Sequence, residues 1–220
     1  MASLTVRPAR PQDAALLLEL FGGLAEYEHL EHELRATEEQ LREALFGERP
    51  AAEALIAERP ACDDDLWAGD PRDGDPRDGD PREGEHRAGD PIAGDDPRTS
   101  DPQAGDSTTT SDLAATAAEP LGYALFFPTF SSFLASTGVW LEDLFVREEH
   151  RGEGVGKALL EAVAALVRER GGERLEWAAL DWNEPALGFY RRIGASTMNE
   201  WITHRLDGEA LARVAAQGRR

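Results

Sequence analysis

The sequence predicts an α+β fold, and three observations carry that prediction. Short apolar stretches suited to strands alternate with segments whose apolar residues recur at helical spacing. A strand, a glycine-rich turn, a long amphipathic helix and a further strand follow one another at the centre of the folded part. Residues 60–118, of quite different composition, interrupt this order and divide the folded sequence in two.

Leu4–Arg7 alternates as a short strand. Pro11 suits the first position of a helix, where its missing N–H costs nothing. Ala14, Leu17, Leu18, Phe21, Leu24 and Ala25 continue that helix at helical spacing. Thr37-Glu38-Glu39-Gln40 is a capping-box pattern, so a second helix starts there and carries Leu41, Ala44 and Leu45. Ala54–Ala57 is an apolar strand just ahead of the interruption. Beyond it, Leu121–Phe127 is an aromatic-rich strand ending at Pro128, and Val139–Val146 is another. After the glycine turn, a long helix buries Val155, Leu159, Leu160, Val163, Leu166 and Val167 and stops at Gly171-Gly172. Leu175–Leu180 reads as a strand, Glu184–Arg192 as a short helix closed by Gly194, and Trp201–Arg205 as a final alternating strand.

The interruption carries 16 acidic and 5 basic residues, a charge of −11 of the chain's −20. Gly69, Gly74, Gly79, Gly84, Gly89 and Gly94 recur every five residues within Gly-Asp-Pro-Arg-Asp-like copies. Apart from alanine its apolar residues are Cys62, Leu66, Trp67, Ile92 and Leu113, too few to offset the entropy of ordering it. A disordered, solvated insertion within a single domain spanning 1–220 is therefore expected. Calcium is disfavoured as a ligand, because Asp73-Gly74-Asp75-Pro76-Arg77 places glycine too early and arginine at a ligand position. A docking tail for a basic partner stays open.

Charge and cysteine content narrow the function classes. A chain at −20 lacks the basic face that nucleic acid or an anionic membrane surface requires. A lone Cys62 makes neither an intramolecular disulfide nor a cysteine-based zinc site, and no metal is expected. No apolar run approaches 18 residues and Met1–Leu20 has no signal-peptide pattern, so the expected location is cytoplasmic. His29 and His32, three apart among Glu28, Glu31 and Glu33, read as a solvated turn.

Arg151-Gly152-Glu153-Gly154-Val155-Gly156, between a strand and a helix, is physically an anion site or else a tight helix entry. Glycines admit close approach, and free N–H groups at the helix start attract phosphate. It lacks the Lys-Ser/Thr of a P-loop and the wider second gap of a dinucleotide fingerprint. With Leu144-Phe145-Val146 before it, Arg151-x-x-Gly154-x-Gly156 resembles the acetyl-CoA pyrophosphate loop of the GNAT N-acetyltransferase superfamily. Asp181-Trp182-Asn183-Glu184-Pro185-Ala186 and Gly188-Phe189-Tyr190-Arg191-Arg192-Ile193-Gly194-Ala195 are similar to that superfamily's downstream stretch. Arg7-Pro8-Ala9, Leu24-Ala25-Glu26-Tyr27-Glu28, Phe46-Gly47-Glu48 and Trp140-Leu141-Glu142-Asp143 resemble its diamine (spermidine/spermine) branch. Thr129-Phe130-Ser131-Ser132-Phe133 looks more like the sister branch acting on lysine-like thioether amino acids.

The resemblance implies a GNAT fold, a central mixed twisted sheet flanked by helices, with acetyl-CoA lying between two splayed parallel strands. It implies that Leu144, Phe145 and Val146 offer backbone groups to the thioester and pantetheine. Arg151, Gly152, Glu153, Gly154, Val155, Gly156 and Lys157 would wrap the pyrophosphate, and Asn183, Glu184, Pro185 and Ala186 would line the other side. Acetyl transfer to an amine needs a neutral amine, a stabilised oxyanion and a proton for the departing thiolate. Tyr190 aligns with the family's general acid, and a phenol of pKa about 10 holds its proton at neutral pH. Glu142 aligns with the base, acting through water and as counter-charge. Successive strand residues face opposite ways, so at most one of Glu142 and Asp143 is expected to face the amine directly. Tyr27, Glu28 and Glu200 align with substrate-site residues. The implied activity is direct acetyl transfer to a primary amine of a small cationic substrate (a diamine, polyamine or lysine-like amino acid) by a homodimer. Acetylation of a protein or peptide amine, or a non-catalytic acyl-CoA-binding module, are the alternatives.

Overall fold

Ala54-Leu55-Ile56-Ala57 is apolar without a break because both of its faces are covered. Ala54 and Ile56 pack on one side of the sheet with Leu17, Leu20, Leu45, Tyr123 and Phe145. Leu55 and Ala57 pack on the other with Leu121, Phe126, Val139, Leu141 and the buried stripe of a helix. A strand alternating between two cores needs no polar face.

The computed structural model describes residues 3–60 and 118–218; the acidic repeat, 61–117, lies outside the described residues. The described chain forms β1 (Thr5–Pro8), α1 (Ala14–Glu28), α2 (Glu38–Phe46), β2 (Glu53–Arg59), β3 (Glu119–Ser131), β4 (Ser136–Val146), α3 (Val155–Glu169), β5 (Arg174–Trp177), α4 (Glu184–Arg192) and α5 (Gly208–Gln217). The sheet runs in chain order, β1 to β5, antiparallel throughout except for the parallel β4–β5 pair. Helices α1 and α2 cover one face and α3 the other.

Local signals set several boundaries. Thr37 caps α2 by accepting from the Gln40 N–H at 3.3 Å, and the Gln40 side chain accepts from the Thr37 N–H at 3.0 Å. Val155, Leu159, Leu160, Val163 and Val167 form the buried stripe of α3, while Leu166 is half-buried. Each such side chain contributes about 1.5–3 kcal/mol by burial, which fixes α3, and so its N-terminus, against β4. At the opposite edge Arg7 bridges Asp13 (2.7 Å) and Glu58 (2.9 Å), tying β1 and β2 to the entrance of α1.

Three expectations are corrected. The strand ending at Pro128 in fact continues to Ser131. Past Phe126, β3 has left β2 and is an edge, where a residue without an N–H is tolerated. The strand expected over Leu175–Leu180 stops at Trp177, because β5 separates from β4 there. Trp201–Arg205 forms no strand; Trp201 and Ile202 are 75% and 78% exposed, and no described strand pairs with the outer edge of β5. Helix α5 lies outside the elements expected from sequence, although Leu211, Val214 and Ala215 keep helical spacing. It rests on the propensity of Ala210, Ala212, Ala215 and Ala216, and it leaves Leu211 and Val214 exposed.

Candidate active site

The parallel β4–β5 ladder ends at Leu141↔Trp177. From Glu142 onward no described strand pairs with the β5-facing edge of β4, and Ala178–Leu180 line the cavity opposite it. Between them lies a cavity of about 670 Å³. One further irregularity shapes it. Leu125 pairs with Asp143 and Phe126 with Leu141, so Glu142 is an extra residue without a partner on β3. This bulge breaks the strict alternation, and both Glu142 and Asp143 line the cavity. That one inserted residue brings to a common cavity two neighbours that strict alternation would turn to opposite faces.

The two carboxylates are held differently. Glu142 is exposed, and its Oε2 accepts from Trp140 Nε1 at 2.8 Å. Asp143 is half-buried and accepts from the hydroxyl of fully buried Tyr123 at 3.2 Å. Burial pushes the Asp143 carboxyl up to about 6, with Glu142 and Glu28 raising it further and the Tyr123 hydrogen bond opposing. Burial likewise raises Glu28, at the end of α1, above the ordinary carboxylate range. Three acids thus share one cavity.

Tyr190 projects from α4, its ring 5.0 Å from Trp177 and 5.4 Å from Phe189 by centroid. Burial raises its phenol pKa, so it keeps its proton at neutral pH. Asn183 caps α4 by accepting from the Ala186 N–H at 3.2 Å, which sets the pitch of the helix that carries Tyr190.

At the other end of the cavity Gly152 (φ +85°) and Gly154 (φ +89°) take the left-handed backbone that leads into α3, with open space where a Cβ would lie. The N-cap residue of α3, Gly154, has no side chain to cap the helix, which leaves its first-turn N–H groups to meet an anion. Arg151 lies over the Tyr27 ring at 4.3 Å and donates from Nε to the Val146 carbonyl at 3.2 Å. The Tyr27 hydroxyl donates to Asn183 Oδ1 at 3.1 Å, and its ring is 5.9 Å from Trp182. Tyr27, expected among substrate residues, is thus also a strut joining α1, the glycine loop and α4. Lys157 pairs with Glu161 one turn along α3.

Of the residues singled out from sequence, Tyr27, Glu28, Glu142, Leu144, Phe145, Val146, Arg151, Gly152, Gly154, Val155, Gly156, Lys157, Asn183, Pro185, Ala186 and Tyr190 all line this cavity. Glu153, Glu184 and Glu200 do not: Glu153 pairs with Arg59, Glu184 with Arg191, and Glu200 is exposed beyond the cavity. Asp143 with its partner Tyr123 is the pair that sequence spacing did not single out. Its only signal was position, next to Glu142 on a strand; the bulge that turns it into the cavity has no signature in composition. Among the described residues no three His, Cys, Asp or Glu side chains converge as a metal site, and no helix is long and apolar enough to cross a membrane.

Apolar walls, unpaired strand edges and an anion-ready helix start in one elongated gap suit group transfer from a long carrier ending in phosphate. Known proteins place the chain within such a class. It matches the Acetyltransferase (GNAT) family over residues 81–195 and belongs to that family; it is an N-acetyltransferase. It is 46% identical over 93 residues to the L-ornithine N5-acetyltransferase of Arabidopsis thaliana, a match spanning 42% of this chain and 41% of that protein. It is 27% identical to the thialysine N-epsilon-acetyltransferase of Bos taurus over 99% of this chain and 100% of that one. An integron cassette protein from the mobile metagenome of V. cholerae shares the fold, with a TM-score of 0.61, 20% identity and coverage of 98% and 99%.

Proposed function

We propose that the chain transfers the acetyl group of acetyl-CoA to a primary amine of a small cationic substrate, of the diamine, polyamine or diamino-acid kind. The observation that carries this reading is the sharing of one cavity by Glu28, Glu142 and Asp143 with the glycine loop and Tyr190. Carboxylates around a polar gap attract an ammonium, and relatives acting on ornithine and thialysine support a substrate with two amines. The residues fit the cosubstrate: left-handed glycines and uncapped N–H groups suit its pyrophosphate, and the unpaired edge at Leu144–Val146 suits its amides.

When bound, acetyl-CoA supplies the activated acyl group. The chain does the rest. Glu142, through water, takes the proton that makes the amine nucleophilic, and Asp143 and Glu28 hold the substrate's remaining positive charge. The amine then attacks directly, without an acetylated side chain. Tyr190 gives its phenolic proton to the thiolate released as the C–S bond breaks, and the second proton shed by the acylated nitrogen restores the phenol. In the same reading the 1–220 chain is one cytoplasmic catalytic domain that carries the 60–118 segment as an insertion. It works as a homodimer, for which exposed Trp201, Ile202, Leu211 and Val214 offer apolar surface. Light scattering at micromolar concentration reads the assembly state, and a monomer contradicts that part.

Free-thiol release from acetyl-CoA, followed across added amines with mass analysis of the product, tests the reaction. One added acetyl on a substrate nitrogen is the expected product. An absence of amine-dependent thiol release would contradict the proposal.

A further inference from the structure

Glu153 is an anomaly in its own loop. It lies between the two left-handed glycines, in a segment whose backbone is shaped for an anion, and it carries a negative charge. Of Arg151 to Lys157 it is the one residue that does not line the cavity. Its carboxylate turns instead to Arg59, the last residue of β2, with which it forms an ion pair. His150, nine-tenths buried, stands beside the pair with Nδ1 3.7 Å from Glu153 and Nε2 3.2 Å from Glu119. Arg59 also approaches Glu119 at 3.9 Å, its register partner on β3. The Arg59 guanidinium holds the Glu153 carboxyl below the usual carboxylate range.

We infer that Arg59 is a positioning residue for the phosphate-binding loop: it draws the Glu153 carboxylate off the cavity, so that the loop meets the cosubstrate's phosphates without its own negative charge. The inference rests on the acetyl-CoA reading above. It gives a task to a strand-end arginine that does not line the cavity. It also means that the end of β2, where the acidic insertion begins, is coupled to cosubstrate affinity through the Arg59–Glu153 ion pair. Without Arg59, Glu153 is released on a loop whose flanking glycines permit it to swing toward the phosphates. Charge repulsion at that range then weakens binding by about fivefold at low salt. Like any exposed charge effect it fades as salt rises, since the screening length falls to about 3 Å near 1 M.

Coenzyme A is the probe, and its dissociation constant, by calorimetry on the full chain, is the readout. Arg59→Gln is expected to bind about fivefold more weakly at low salt and within about twofold of wild type near 1 M salt. Glu153→Gln is expected to bind within about twofold of wild type, because the carboxylate it removes is already held off the cavity. The double variant is expected to match Glu153→Gln within about twofold, since the arginine has no carboxylate left to restrain. In turnover, Arg59→Gln should raise KM for acetyl-CoA with little loss of kcat. A double variant as weak as Arg59→Gln, or a defect that persists in high salt, would overturn the inference. If Arg59→Gln does not fold, Glu153→Gln still decides, because weaker CoA binding in that variant contradicts the argument. A wild-type chain with no affinity for CoA refutes the acyl-donor reading itself, whereas normal wild-type affinity with an unaltered Arg59→Gln constant refutes only this inference.

Discussion

Asp143 concentrates the competition between folding and chemistry in one side chain. Burial next to Glu28 and Glu142 raises its carboxyl to about 6, although Tyr123 donates to it. In the unfolded chain the same group titrates near its ordinary value of about 4. The native state therefore holds this proton more tightly, so the group favours folding below about pH 4. That contribution is lost as pH rises through about 6. Asp143→Asn removes the cost of burying an ionised carboxylate. It should raise stability by about 1–2 kcal/mol at pH 8 and change little near pH 4, read by urea denaturation at the two values. In the wild type the rate should rise through an apparent pKa near 6, and this limb should vanish in Asp143→Asn. Tyr190→Phe tests the proposed acid. The ring and its contacts with Trp177 and Phe189 stay, so CoA affinity should hold while kcat falls by roughly 10²-fold or more. Near-normal turnover would remove Tyr190 from its role.

At the scale of elements, the site is the region where β4 parts from β5 and where one inserted residue, Glu142, bends β4. Gly122 on β3 supports that bend by letting β4 approach closely: a Cβ there would lie 2.3 Å from the Phe145 carbonyl oxygen and 3.1 Å from Val146 Cα. Gly122→Ala must displace the strand whose edge faces the cavity. It should cost about 1–3 kcal/mol of stability and also weaken CoA binding, measured by denaturation and calorimetry on one preparation. Intact CoA affinity would show that the Leu144–Val146 edge is not part of the site. Local chemistry made other elements legible in sequence. The Thr37–Gln40 capping box, the α3 stripe and the Glu184–Arg192 helix each depend on neighbours within a few residues, and each appears as read. The bulge at Glu142, the Tyr123–Asp143 bond and the Glu153–Arg59 pair depend on register between distant strands, which no local spacing encodes. Trp201–Arg205 shows the converse: its alternation is a strand pattern, but a strand forms only where a partner edge is supplied.

For the whole molecule, the pairing of Arg59 with Glu119 makes residues 60–118 the connection between two antiparallel neighbours, β2 and β3. Such connections tolerate length, because closing a loop costs only about (3/2)RT ln n. Replacing 61–117 with a short Gly/Ser turn, while keeping Arg59 and Glu119, should stabilise the fold by about 1–2 kcal/mol and leave kcat within about threefold. It also removes the full −11 charge of that segment, so lower solubility is expected. Loss of CoA binding in a folded variant would show that the segment helps to build the site.

The central claim is that a carboxylate-lined cavity selects a cationic amine for acetylation. It is tested most directly by kcat/KM for acetyl transfer to paired acceptors of equal length, one bearing a second ammonium and one bearing a neutral group in its place. The dication is expected to be preferred by about tenfold or more at low salt, roughly 1.4 kcal/mol of selective stabilisation, with the preference shrinking as salt rises. Equal or better turnover of the neutral acceptor would contradict it.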